Sequence, residues 1–228
     1  MSAVERVNKA WDRIEAWYKK NLPGWKPRSG ASDTAIDALA KHMKVTFPEE
    51  LRVSLKRHNG IEDLKWPGGS LLSLVEIQME WDTWTEMARA GEFDDERVES
   101  DGTFQPKRWC EAWIPIDSDG GGNCNMMDLA PGSKGRIGQM LYFDHEKGPE
   151  KSEYPDYPGY LEAIADGFEK GRYSVDDDAI IDNEADGEEG EDDDDDEEED
   201  YDEEEEDEED EEEDEEEEKS KSKKKVKK

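Results

Sequence analysis

"WIPIDSDGGGNCNMMDLAPGSKGRIGQMLYFDHE", Trp113 to Glu146, sets three short apolar runs between clusters of Gly, Asp, Asn and Pro. The runs are Trp113-Ile114-Pro115-Ile116, Met126-Met127-Asp128-Leu129 and Gln139-Met140-Leu141-Tyr142-Phe143. Short apolar runs punctuated in this way predict antiparallel hairpins. Pro115 lacks the backbone N–H that an inner ladder position needs, so it predicts an edge or strand-end position. Within the first turn, Gly120 to Gly122 predict at least one positive φ, and the Asp119 and Asn123 side chains are suited to bonding loop amides.

Outward from this stretch the periodicity changes to helical. Val4, Val7, Trp11, Ile14 and Tyr18 predict a first helix, ended by Leu22-Pro23-Gly24. Ser32 or Thr34 caps a second helix carrying Ile36, Leu39 and Met43. Pro48 suits the first turn of a third, Glu49 and Glu50 complement its positive end, and Asn59-Gly60 predicts a left-handed stop. An apolar run, Leu71 to Leu74, precedes a helix through Ile77, Trp81, Trp84 and Met87. A last helix from Pro158 to about Arg172 turns Tyr160, Leu161, Ile164, Ala165 and Phe168 to one side. The fold class is α+β.

Charge divides the chain. Residues 1–175 hold 31 acidic and 23 basic residues and all eight tryptophans, while 176–228 hold 35 acidic and 7 basic residues. The first segment has enough apolar residues for one core. The second cannot bury enough to offset its ordering entropy, so residues 176–228 are expected to form a disordered Asp/Glu-rich tail ending in the Lys-rich KSKSKKKVKK. That tail suits a solubilising polyelectrolyte better than a nucleic-acid mimic, and direct nucleic-acid binding is not expected. The start MSAVERVNKAWDRIEAW lacks the basic-then-apolar pattern of a secretory signal, and no apolar run is long enough for a membrane span. A cytoplasmic location without membrane association and with Cys110 and Cys124 reduced is expected, or a nuclear one, from the lysine cluster, if the source is eukaryotic.

The order of a Pro-initiated helix ending in Asn-Gly ("FPEELRVSLKRHNG"), a Trp-x-Pro strand, an Asp-Gly-Gly-Gly-Asn turn, an Asp-Leu-x-Pro strand end and a Gly-Gln strand closing in Asp-His-Glu resembles the SUKH superfamily, also called Smi1/Knr4. The resemblance covers residues 5 to 173. Its signature positions are Pro48, Asn59, Gly60, Trp113, Pro115, Asp119, Gly120, Gly121, Gly122, Asn123, Asp128 and Gly138, mainly structural in role. It implies a single α+β domain, residues 1–175, whose central, mostly antiparallel sheet is flanked by helices. It also implies a non-enzymatic protein-binding function: toxin neutralisation by an immunity-type protein in bacterial members, regulatory interaction in cell-wall signalling in fungal ones. Toxin neutralisation, with a basic nuclease-like toxin domain as partner, is placed first; the Smi1/Knr4-like regulatory scaffold is the alternative. A monomer is expected.

Chemistry is weighed against that reading. As a calcium loop, Asp117, Asp119, Asn125 and Asp128 fall at positions 1, 3, 9 and 12 with Gly122 at 6, but position 5 is Gly121 and the flanks are strands. No helix follows the glycines to cradle phosphate. His42, His58 and His145 are far apart, the cysteines lack a CxxC, and no nucleophile elbow occurs. Neither a metal, a cofactor nor a catalytic residue is therefore expected, and a metal-dependent enzyme is a distant alternative.

Overall fold

The computed structural model describes residues 1–184; most of the expected acidic tail lies outside the described residues. In chain order the elements are α1 (Ala3–Asn21), α2 (Asp33–Met43), α3 (Glu49–Arg57), β1 (Ile61–Trp66), β2 (Gly69–Leu71), α4 (Leu74–Ala90), β3 (Trp113–Pro115), β4 (Asp117–Ser118), β5 (Cys124–Asp128), β6 (Gln139–Asp144), β7 (Gly148–Lys151), α5 (Tyr157–Lys170), β8 (Tyr173–Asp176) and β9 (Ala179–Asp182). The α+β class with antiparallel sheets holds.

Each helix start has a local cause. Ser2 and Ser73 form capping boxes with Glu5 and Glu76, Ser32 accepts from the Ala35 amide, and Asp156 accepts from the Gly159 amide. Pro48 sits one position earlier than expected, as the residue before α3. The stop of α3 also differs. His58 ends it in extended conformation, and the positive φ falls on Gly60 (+79°), where the chain turns into β1. Asn59 instead accepts from the Leu74 amide at 2.9 Å, joining the end of α3 to the start of α4.

Strands β3-β5-β6-β7 form one antiparallel sheet, β1-β2-β4 a second, and β8-β9 a hairpin. Ile116 connects the first two: its N–H donates to Asn125 O at 2.9 Å, and its carbonyl accepts from the Leu72 amide at 2.9 Å. The apolar run Leu71–Leu74 therefore splits, with Leu71 closing β2 and Ser73 capping α4. Pro115 is the last residue of β3, an edge strand.

Helix α1 lies against α5 and α3, sealed by Val7, Trp11, Ile14 and Tyr18. Burial of that apolar stripe is what makes a helix of this composition stable. Arg6 pairs with Asp156 and Glu162, and Arg13 with Asp166 and Glu169, across the α1–α5 seam. Residues 91–112 between α4 and β3 have no helix or strand, yet bury Phe104, Arg108 and Trp109. The Arg108 guanidinium donates to the carbonyls of Glu146, at 2.8 Å, and His145, fixing the β6–β7 turn.

One boundary requires correction. The expected domain end at 175 and the expected disorder from Asp176 both fall inside the β8–β9 hairpin, in which Val175 pairs with Ile180 and Ile180 is buried. Asp177 and Asp178 take positive φ (45° and 65°) at its tip, a conformation that Asp tolerates better than most residues. The charge count hid this hairpin because Ala179-Ile180-Ile181 is too short to offset the flanking aspartates in a composition reading. Among the described residues no helix is long and apolar enough to cross a membrane.

Candidate binding cleft

The strand residues that face away from the core build the site. Along β6 the side chains alternate: Leu141 and Phe143 are buried and Tyr142 between them is half-buried on the other face, opposite Asn125 of β5. Beside this face lie Asp117 of β4, Tyr154 from the segment after β7, Tyr160 of α5, and Tyr173 and Asp182 from the terminal hairpin. Together they enclose a cleft of about 220 Å³. The hairpin beyond residue 175 therefore supplies one wall.

At the floor a hydrogen-bond chain runs from the core outward. Trp66 Nε1 donates to Tyr160 Oη at 2.7 Å, Tyr160 Oη donates to Asp117 Oδ2 at 2.7 Å, and Asn125 donates to Asp117 through its amide (2.6 Å) and side chain (2.9 Å). Burial pushes the Asp117 carboxyl above the usual range, and the Asn125 amide, Tyr160 and the Asn125 side chain offset this only in part. Burial, reinforced by Asp117, holds the Tyr160 phenol well above its ordinary value.

The glycine turn forms the rim. Asp119 Oδ1 accepts from the amides of Gly121 (2.7 Å) and Asn123 (3.0 Å), and Oδ2 from the Asn123 side chain (2.7 Å). Gly120 and Gly122 have φ +79° and +102°. Asn123 Oδ1 in turn accepts from the His145 amide at 3.0 Å, pinning the turn to the end of β6.

The other signature residues lie elsewhere. Asp128, fully buried at the far end of β5, accepts from Trp113 Nε1 (3.0 Å), the Ala130 amide (2.8 Å) and Gln139 Nε2 (2.9 Å). Gly138 (φ +82°) donates to the Asp128 carbonyl. Pro48 precedes α3, Asn59 and Gly60 shape the α3–β1 corner, and Pro115 closes β3. Asp117 and Asp128 thus have separate sets of partners, and among the described residues no group of three His, Cys, Asp or Glu converges as metal ligands. His42 pairs with Asp82, His58 with Glu15, and His145 with Asn123, in three separate places. Cys110 and Cys124 are free thiols, and burial pushes both up.

Sequence reasoning missed Tyr142, Tyr154, Tyr160 and Tyr173 as one group. Alternation along β6 was the available signal for Tyr142; nothing local brings positions 154, 160 and 173 to it.

The sequence matches the SMI1 / KNR4 family (SUKH-1) over residues 30–171. It is similar to the Schizosaccharomyces pombe "Cell wall biosynthesis/cell cycle regulator smi1", 28% identical, with 75% of this chain and 38% of that protein covered. It is also similar to a Neurospora crassa "Glucan synthesis regulatory protein", 26% identical with 75% and 40% covered, and to the Saccharomyces cerevisiae "Cell wall assembly regulator SMI1", 22% identical with 74% and 42% covered. The chain spans about two fifths of the length of these curated relatives. Helix α1 precedes the matched segment and still completes its core. Since the match runs from the approach to α2 through the end of α5, most of the described frame, the chain belongs to the SMI1 / KNR4 family (SUKH-1).

Proposed function

We propose that this protein is a non-enzymatic regulatory domain that acts by binding another protein, in the manner suggested by the cell-wall and glucan-synthesis regulators it resembles. The observation that carries this is the state of the cleft's central carboxyl. A buried carboxyl with a raised pKa in a concave site is a common sign of acid–base chemistry. Here Asp117 is held by three hydrogen bonds from Asn125 and Tyr160; the described cleft residues include no histidine, serine or threonine, and burial holds their one thiol, Cys124, well above its ordinary pKa, away from the thiolate a nucleophile needs. The arrangement suits holding a ligand on a rigid frame.

Toxin neutralisation, the first expectation from sequence, receives no support from the relatives, whose names describe regulation; the regulatory alternative takes its place. Crosslinking of the full chain in its source cells, followed by mass spectrometry, tests the reading. A defined protein partner crosslinked to residues of the described domain is the expected result. Partners crosslinked solely through residues 185–228, or recovery of nucleic acid alone, would overturn it.

A further inference from the structure

The partner's chemistry can be taken a step further, resting on the protein-binding reading above. We propose that the tyrosine-lined cleft is a socket for one arginine side chain presented by a basic segment of the partner. At about 220 Å³ the cleft lies below the roughly 300–1,000 Å³ of small-molecule and cofactor sites, and suits a single long side chain. The half-buried Tyr142 and Tyr154 are its accessible rings, and the buried Tyr160 and Tyr173 back them. Tyr154 and Tyr160 meet at 78° with ring centroids 5.1 Å apart, so the buried Tyr160 fixes the orientation of the Tyr154 ring. The face of an aromatic ring carries the negative lobe of its quadrupole and attracts a cation.

The charges around the cleft agree with this occupant. Asp117 and Asp119 line it, and the single cation of the lining, Arg172, is already engaged: it donates to Asp182 at 2.8 to 3.1 Å and lies 3.4 Å from Glu184. Arg172 also stands 5.3 Å from the Tyr173 ring centroid, an internal example of guanidinium on this wall. An anion would face Asp117 and Asp119. A purely apolar group would desolvate the Tyr142 and Tyr173 hydroxyls, which have no hydrogen-bond partner among the described residues. A guanidinium can donate to those hydroxyls while its plane stacks on a ring, and it sheds water more readily than an ammonium.

The test is an NMR titration of the full chain at 150 mM salt, where exposed charges are screened beyond about 8 Å, using the peptides acetyl-Gly-Arg-Gly-amide and its neutral citrulline analogue. The arginine peptide is expected to give saturable shifts confined to residues around 117–125, 142, 154–160 and 173, with the citrulline peptide weaker by at least about fivefold. Tyr142→Leu should weaken the arginine peptide by a similar factor and Tyr142→Phe by less than about twofold, because the ring is the main contact. Equal binding of the two peptides, shifts scattered over the acidic surface, or Tyr142→Phe as damaging as removal of the ring would overturn the socket. Should the arginine peptide fail while a partner still crosslinks to the described domain, the socket alone is wrong. Partners held solely through residues 185–228 would remove the protein-binding reading itself, whatever the titration shows.

Discussion

Two aromatic clusters flank β5 and β6, and they differ in what their polar atoms do. On the core side, Trp84, Trp109, Trp113 and Phe143 pack with ring centroids 4.5 to 6.1 Å apart. There Trp84 donates to Glu80, Trp109 to Thr85 and Trp113 to Asp128. On the cleft side, Tyr142 and Tyr173 line the cleft and their hydroxyls have no hydrogen-bond partner among the described residues. Polar groups closed away from water must be paired, so the first cluster is a device for stability. The second retains unused hydrogen-bonding capacity at the surface, which is what a recognition site needs.

The largest effect that separates the two regions is expected at Asp128. Its carboxyl receives three donors in the core, so Asp128→Ala strands the Trp113 and Gln139 donors and should cost roughly 3–5 kcal/mol. Calorimetry should show the unfolding midpoint falling by about 10 °C or more. A cost under about 1 kcal/mol would mean that this network does not hold β3, β5 and β6 together.

Next come two glycines with the same φ of +79° in different surroundings. A Cβ on Gly60 would meet backbone atoms of Ser73, Leu71 and Leu72 at 2.5 to 2.9 Å, whereas one on Gly120, at the cleft rim, meets nothing within 4 Å. Gly120→Ala should therefore cost only the backbone strain, about 1 kcal/mol. Gly60→Ala adds displacement of the α3–β1 corner and should cost at least about 2 kcal/mol. Urea denaturation of both variants checks the difference, and equal losses would refute it.

A smaller and pH-dependent effect is expected at Asp156, the cap of α5. Partial burial pushes its carboxyl up, but the Gly159 amide, Arg6 and Arg136 outweigh this and hold it below the usual range. A depressed folded value means stability that is present above the ordinary Asp pKa, near 4, and is lost as pH falls through the depressed value. Asp156→Asn keeps an amide acceptor for the cap and removes the charge. It should cost about 0.5–1 kcal/mol at neutral pH, with the gap to wild type closing in acid. A gap that is constant from pH 7 to pH 3 would assign the effect to packing.

What the sequence made legible follows the same division. The core-side strands announce themselves as contiguous apolar runs, and α1, α2, α4 and α5 by periodicity and caps, because burial acts on neighbours along the chain. Strands β1 and β2 were missed since Glu62, Asp63 and Lys65 break the apolar pattern, and Leu64 takes a φ of +62° at an irregularity in the ladder. The cleft was illegible for another reason: Tyr142, Tyr154, Tyr160 and Tyr173 are ordinary residues in their own segments, and only the packing of α5 and the terminal hairpin makes them one surface. Asp119 and Asn123 were legible as turn-formers because their partners lie within a few residues.

The smallest expected effect is the most direct probe of the comparison, because it removes the same atom in two places. Tyr157 is buried, with its hydroxyl 2.6 Å from Ser54 Oγ, which in turn accepts from Trp11 Nε1 at 2.8 Å. Tyr157→Phe breaks a closed network and should cost about 1 kcal/mol. Tyr142→Phe removes a hydroxyl whose hydrogen bonding is left to solvent, so folding exchanges nothing for it, and stability should change by less than about 0.5 kcal/mol. Parallel denaturation curves with equal m-values would make the two numbers comparable. If Tyr142→Phe costs as much as Tyr157→Phe, its hydroxyl has a partner in the folded chain, and the cleft side becomes a second structural network with no unused polar capacity to offer a partner.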